Sequence, residues 1–402
     1  MTVADRPATS RPATYRQVLA VPEFRTLLGG FALFLVGETV QMLALSVLVY
    51  AGTGSPLLAA LAYVAGFLPQ ALGGTVLLAV ADRWRPRRVL PAFDLLRLGV
   101  AVLLAAGVLP PVAMVLLVFV LGGLAPVANA TRTALLPDLL DGDRYVLGRS
   151  MFTVVSAGMQ VTGAAVGGLL IALTGPAGAL WLTAAGCAVS AAVHRFGLTD
   201  RPARTTGSRG TVRATWRVNR LLLADPAIRG LLLAQWLPGA LMVAAEGVVV
   251  PYTAGLDRPA AAGALLGAAA GGMLLGDFVT GRFVPPRWRE RLTPWLALLL
   301  GVPLLGFALR PGVVPAAILL GCAAAGFAYH LGLARRFLDA LPEAHRGQAF
   351  GLAMTGTMTL QGLSMAGAGA LAEVIPPGTV MALAGAASLT ATVALWPRLR
   401  AR

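Results

Sequence analysis

The 402-residue chain is 57% hydrophobic and only 12% charged, with a mean hydropathy of +0.77, which excludes an ordinary soluble globular domain. Its formal net charge of +15 comes from 32 basic residues, all arginine, against 17 acids. A basic surface for nucleic acid would need an aqueous face, whereas these arginines fall between apolar runs.

The absence of lysine removes both a Walker A loop and a Schiff-base attachment for pyridoxal phosphate, so ATP-driven transport by this chain and that cofactor are excluded; no cofactor is implied. The arginine-only usage, with an excess of Ala, Gly, Pro and Val, points to a GC-rich bacterial genome. Lipid cannot satisfy backbone polar groups, and a spanning helix needs about 20 apolar residues. On that criterion residues 1–26 form a polar leader and twelve transmembrane helices follow, at 27–50, 56–81, 89–109, 112–136, 149–174, 176–194, 228–252, 259–281, 292–309, 312–334, 348–373 and 376–397. The first run is too long for the apolar region of a cleaved signal peptide and is expected to stay as a helix. Cys187 and Cys322 both sit in apolar segments, read as small hydrophobes, and imply no disulfide framework.

Connections on one side are short and nearly uncharged: "GTGSP", "PP", "TGPAG", "LDRP", "RPG" and "IPPG". Only Arg258 and Arg310 fall on that side, and only Arg97 and Arg132 fall within helices. The other arginines, beginning with the cluster in "AVADRWRPRRVL", fall on the opposite side, which puts both termini in the cytoplasm by the positive-inside rule. Residues 195–227, containing "RPARTTGSRG", form a flexible cytoplasmic linker between six-helix bundles at 27–194 and 228–397, and 398–402 form a cytoplasmic tail. The halves resemble each other. "VPEFRTLL" at Val21 recurs as "DPAIRGLL" at Asp225, Arg132 corresponds to Arg335, and Gln160 in "MQVTGAAVGG" corresponds to Gln361 in "LQGLSMAGAG". Such a repeat is the mark of duplicated transporter halves with a binding site between them near the midplane.

Polar groups inside the spans are the candidate site. Glu38 lies near the middle of the first helix, where a charge costs on the order of 3 kcal/mol, so it faces a wet cavity or holds a proton. Gln41 shares its face one turn on. A proton that binds and leaves Glu38 could be coupled to transport; the alternative is a hydrogen-bonded structural carboxylate. Asn129 and Arg132 share a face of the fourth helix, and Arg132 could neutralise an acid, bind an anionic group or snorkel to the interface. In the second half Glu246, Asp277, Tyr329 and His330 are weaker candidates, with His330 read as structural rather than as a relay.

The stretch "PQALGGTVLLAVADRWRPRRVL" resembles the loop between helices 2 and 3 of the major facilitator superfamily, with Asp82, Arg83, Arg87 and Arg88 on its motif and Leu78 in place of the leading Gly. "LVYAGTGSP", "FDLLRL", "TRTALLPDLL" and "GAAVGGLL" extend the similarity to the drug-exporter, macrolide-efflux-like branch. The resemblance implies an all-α membrane fold in two pseudo-symmetric halves, a cavity lined by helices 1, 4, 7 and 10, and a cytoplasmic gate. In that gate Asp82 would contact the start of helix 11, where a carboxylate gains about 0.3–1 kcal/mol from the helix dipole, and the arginines would pair with acids near helix 4. Gly163, Gly167 and Gly168 in "GAAVGG" resemble the antiporter motif of helix 5, with Ala164 where Pro is usual; small residues there also allow close helix packing.

The function expected is therefore a proton-coupled exporter of small amphipathic or hydrophobic compounds such as drugs or secondary metabolites, a monomer in the bacterial cytoplasmic membrane. Its partners are a small-molecule substrate, protons and the bilayer, with no nucleic acid. The alternatives are an uptake or metabolite transporter of the same superfamily and a non-transporting scaffold or sensor, which a flux assay separates. An intramembrane enzyme is disfavoured: His194, His330 and His345 have no metal spacing, and "GLSMA" lacks the second glycine of a serine-nucleophile motif.

Overall fold

The computed structural model describes residues 14–66, 68–70, 85–201, 212–342 and 345–400, and among them the chain is helical throughout, with no strand. Helix α1 (Tyr15–Leu19) leads into α2 (Pro22–Thr53), α3 (Pro56–Val64), α4 (Pro86–Ala105), α5 (Pro111–Leu139) and α6 (Asp143–Gly197). The second half comprises α7 (Val212–Ala224), α8 (Pro226–Val243), α9 (Val249–Ala254), α10 (Ala262–Phe283), α11 (Pro286–Leu299), α12 (Val313–Ala325), α13 (Tyr329–Ala340), α14 (Arg346–Leu371), α15 (Pro377–Ala394) and α16 (Trp396–Leu399). Eight segments among the described residues are long and apolar enough to cross a membrane.

Proline and glycine punctuate these helices. Pro22, Pro56, Pro86, Pro111, Pro226, Pro286 and Pro377 stand in first turns, where the missing N–H has no intrahelical partner to lose. Inside α6, Gly175 at φ 73° breaks the regular helix between the spans expected at 149–174 and 176–194. The linker contains more order than its composition implies. Val212–Ala224 is a helix, because Leu222 is fully buried and Asn219 accepts a hydrogen bond from Gln348 of α14 at 3.2 Å, while Trp216 and Arg220 lie exposed. In the second half, 3-10 turns at Glu246–Val248, Pro303–Leu309 and Gly326–Ala328 interrupt spans that read as continuous from the sequence.

Within the first half α2 and α4 pack on α6, and within the second α10 packs on α12 and α8 on α14 and α15. The halves meet through α3 on α14 and α6 on α10. Both contacts depend on missing side chains: Gly168 of α6 lies directly on Gly263 of α10, and Gly369 of α14 lies on Leu57 and Ala60 of α3. These residues cluster at the end with the short, arginine-poor connections. Towards the arginine-rich end the same helices leave Val154 of α6 and Phe278 of α10 largely exposed.

A carboxylate fastens the closed end. Glu373, just beyond α14, accepts from the Ser55 hydroxyl at 2.5 Å and from the Leu57 N–H at 3.0 Å, at the start of α3. These donors hold the Glu373 carboxyl below the ordinary carboxylate range. A depressed value means the contact is present above the ordinary carboxylate pKa and is lost as pH falls through the lowered one. The distance between spin labels at residues 51 and 374 should therefore stay constant from about pH 8 to about pH 5 and lengthen only under stronger acid. Glu373→Gln should lengthen it at neutral pH and abolish the acid-dependent step.

Candidate functional site

Helix α2 carries the acid at the centre of the first half. Glu38 is half-buried, and its Oε1 accepts from Gln70 Nε2 at 2.7 Å; Gln70 Nε2 also donates to the Gly66 carbonyl at 3.0 Å. A small cavity of about 20 Å³, room for a water molecule, lies between α2, α4 and α5 beside Gly66 and is lined by Glu38, Gln41, Phe34, Phe93 and Arg97. Gln41 is buried, and its Oε1 has no hydrogen-bond partner.

Two guanidiniums face the same region. Arg97 of α4 and Arg132 of α5 are 3% and 2% exposed, and their Cζ atoms lie 4.5 and 4.7 Å from the Phe34 ring centroid. Cation–π contact with a desolvated guanidinium is worth about 2 kcal/mol, which offsets part of the cost of burying the charge. Arg97 Nη2 donates to the Phe34 carbonyl at 3.2 Å, and Arg132 Nη1 donates to Asn129 Oδ1 at 2.8 Å. Arg132 is thus held inside the bundle and does not snorkel to the interface. Both arginines act on Glu38 through space without closing an ion pair.

A further acid in this bundle escaped the sequence reading. Asp94 lies one turn before Arg97, and its Oδ2 accepts from Ser190 Oγ at 2.8 Å and from His194 Nδ1 at 2.7 Å, all three side chains being buried. The signal was available in "FDLLRL": an acid and an arginine three residues apart in a span that is otherwise apolar. Ser190 donates to Asp94 and not to the imidazole, so the trio lacks the serine–histidine contact that activates a nucleophile.

The other candidates lie apart. Glu246 is half-buried in a 3-10 turn, within electrostatic range of Tyr63 of α3. Tyr329 is fully buried with its hydroxyl on the Gln235 carbonyl at 2.8 Å, and His330 Nε2 donates to the same carbonyl at 3.1 Å, its ring 4.1 Å from that of Tyr329. This pair ties α13 to α8. Asp277 is exposed on α10. Asp82 and Arg83 lie outside the described residues. Arg87 Nε donates to the Arg195 carbonyl at 3.3 Å and Arg88 is exposed, while the neighbouring Arg85 pairs with Asp200 at 2.8 Å, so these contacts run to the end of α6. Gly163 and Gly167 admit Thr39 and Val40 of α2, and Gly168 admits α10. Phe34→Ala would remove the ring between the two guanidiniums, and it should lower the thermal stability of the detergent-solubilised protein by about 3–5 kcal/mol.

A family model described as Major Facilitator Superfamily matches residues 27–334. The chain is 27% identical over 313 residues to the multidrug efflux pump Tap of Mycolicibacterium fortuitum, covering 73% of this chain and 74% of that protein. Among solved structures it is similar in fold to a bacterial homologue of the human lysosomal transporter Spinster in an inward-facing, occupied conformation, with a TM-score of 0.69 at 15% identity over 97% of this chain and 96% of that one. It is also similar to the inward-open xylose transporter XylE of E. coli, with a TM-score of 0.64 at 15% identity over 94% and 96% of the two chains. At those identities the solved structures speak to the fold alone.

Proposed function

Because the chain belongs to the Major Facilitator Superfamily, it is a multi-pass membrane transporter and not an enzyme, and we propose that it exports small amphipathic compounds in exchange for protons. The observation that carries this reading is Glu38, a half-buried carboxylate in the middle of a membrane helix, hydrogen-bonded to Gln70 and within reach of two buried arginines. With Glu38 and Asp94 ionised, Arg97 and Arg132 balance them. A proton on Glu38 leaves the bundle with one positive charge in excess. Proton binding therefore changes the net charge of a low-dielectric bundle, which is how a proton can bias one arrangement of the halves against another.

The arginine-rich end faces the cytoplasm and the end fastened by Glu373 faces outward, in the bacterial cytoplasmic membrane. With the outer end fastened in this way, cargo would enter from the cytoplasm or the inner leaflet. Similarity to a multidrug efflux pump supports the cargo class. The chain works as a monomer, and the Asp82 loop gates the cytoplasmic end.

Efflux of a lipophilic cation and of a neutral macrolide-like compound, measured in cells with and without a protonophore, tests the coupling. Wild type should lose uphill efflux when the proton gradient is collapsed, and Glu38→Gln should lose it with the gradient intact while keeping downhill movement. Unchanged uphill efflux in either case sinks the proton assignment, and export confined to sugars or phosphates sinks the cargo. Cysteines near Arg85 and Arg289 should be labelled only from the cytoplasmic side; labelling from outside would reverse the orientation.

A further inference from the structure

The buried pair Asp94–His194 enters the mechanism above only through the Asp94 charge, yet its geometry is that of a proton acceptor. Both side chains are 0% exposed and joined at 2.7 Å through Asp94 Oδ2 and His194 Nδ1. Their outer atoms, Asp94 Oδ1 and His194 Nε2, are buried without a hydrogen-bond partner. A structural tie is better made by groups that satisfy each other fully, since each buried unpaired polar atom costs about 1–3 kcal/mol. Nε2 faces α2: it lies directly on Gly30, where any side chain would collide with it. Gly30 is two turns from Glu38 on the same helix, about 12 Å towards the arginine-rich end.

We propose that Glu38 and the Asp94–His194 pair share one transport proton, with His194 Nε2 as the second holding site. In this step the Glu38 O–H bond breaks and leaves a carboxylate. The proton is taken up at Nε2, where an N–H bond forms. The resulting imidazolium lies against the Asp94 carboxylate, which stabilises it. The charged and titratable groups around the pair are Arg97 and Asp94 on α4, Arg132 on α5, Glu38 on α2, and Cys187 and Arg195 on α6. Counting Glu38, Asp94, Arg97, Arg132 and His194, the net charge is the same whether the proton sits on Glu38 or on His194. The transfer is therefore neutral overall and moves positive charge two turns towards the arginine-rich end.

This proposal rests on proton coupling at Glu38, and the full-length chain reconstituted in liposomes separates the two, with ethidium as probe. If wild-type ethidium transport is indifferent to a pH gradient, the coupled-exporter reading fails at the outset. If wild type responds, His194→Gln should lose about tenfold of the gradient-driven rate while downhill ethidium movement stays within about twofold. Ser190→Ala, which removes a hydrogen bond to Asp94 but no titrating group, should keep the gradient response. A wild-type gradient response in His194→Gln overturns the proposal, and so does an equal loss in Ser190→Ala, which would make the trio a structural tie. Should His194→Gln fail to assemble, the imidazole nitrogens of the other variants decide. With 15N-labelled histidine, assigned by His330→Gln and His345→Gln, His194 should be less fully protonated in Glu38→Gln than in wild type between about pH 6 and about pH 8, because the variant lacks the carboxylate whose charge favours the imidazolium. An identical protonation state in the two proteins overturns the proposal.

Discussion

A charge placed between apolar helices has to be answered from within the protein, because lipid offers neither hydrogen bonds nor counterions. The first half is organised around that constraint. Two acids on α2 and α4 stand against two arginines on α4 and α5. Phe34 gives each guanidinium an aromatic face, Asn129 and the Phe34 carbonyl take one N–H from each, and Gln70 serves Glu38. Removing any member exposes the charge of another. The cluster is therefore cooperative in structure, whatever share of it takes part in transport.

The second half answers the same constraint differently. It carries fewer buried charges and spends its polar side chains on backbone carbonyls: Tyr329 and His330 on Gln235, Trp236 on Ala353, Ser388 on Pro238. Such contacts lock α8 against α13, α14 and α15. The two halves, alike in sequence pattern and topology, thus differ in chemistry: the first gathers its acids and arginines around Phe34, whereas Glu246, Asp277 and His330 of the second lie apart.

Much of this was legible in the sequence, for identifiable reasons. Helix ends were readable because the residues that end helices act locally: Asp225 caps α8 by accepting from the Ala227 and Ile228 N–H groups, and Gly175 breaks α6 between the two spans expected there. Glu38 stood out because one acid in an apolar run is conspicuous. What stayed hidden depends on which helix faces meet. Asp94 and His194 are 100 residues apart, and nothing in either neighbourhood announces the other. The linker helix Val212–Ala224 was masked by its arginines, although the burial of Leu222 and the Asn219 contact with α14 decide its structure. Tyr329 was a weaker candidate from its polarity and His330 read as structural, and the position of the Gln235 carbonyl accounts for both. The 3-10 turns carry no sequence mark beyond Gly and Pro that are common throughout this chain.

The contact of Gly168 with Gly263 sets the mechanical advantage of any rocking motion. Backbone on backbone at that point leaves no side chain to compress, so the contact behaves as a fulcrum placed near one end of two long rods. Val154 lies fourteen residues from Gly168 along α6, a lever arm of about 21 Å at the helical rise. A tilt of about 10° about the fulcrum would displace the far end by about 4 Å while moving atoms beside the glycines by a fraction of an ångström. A small rearrangement at the fastened end would therefore be amplified at the other.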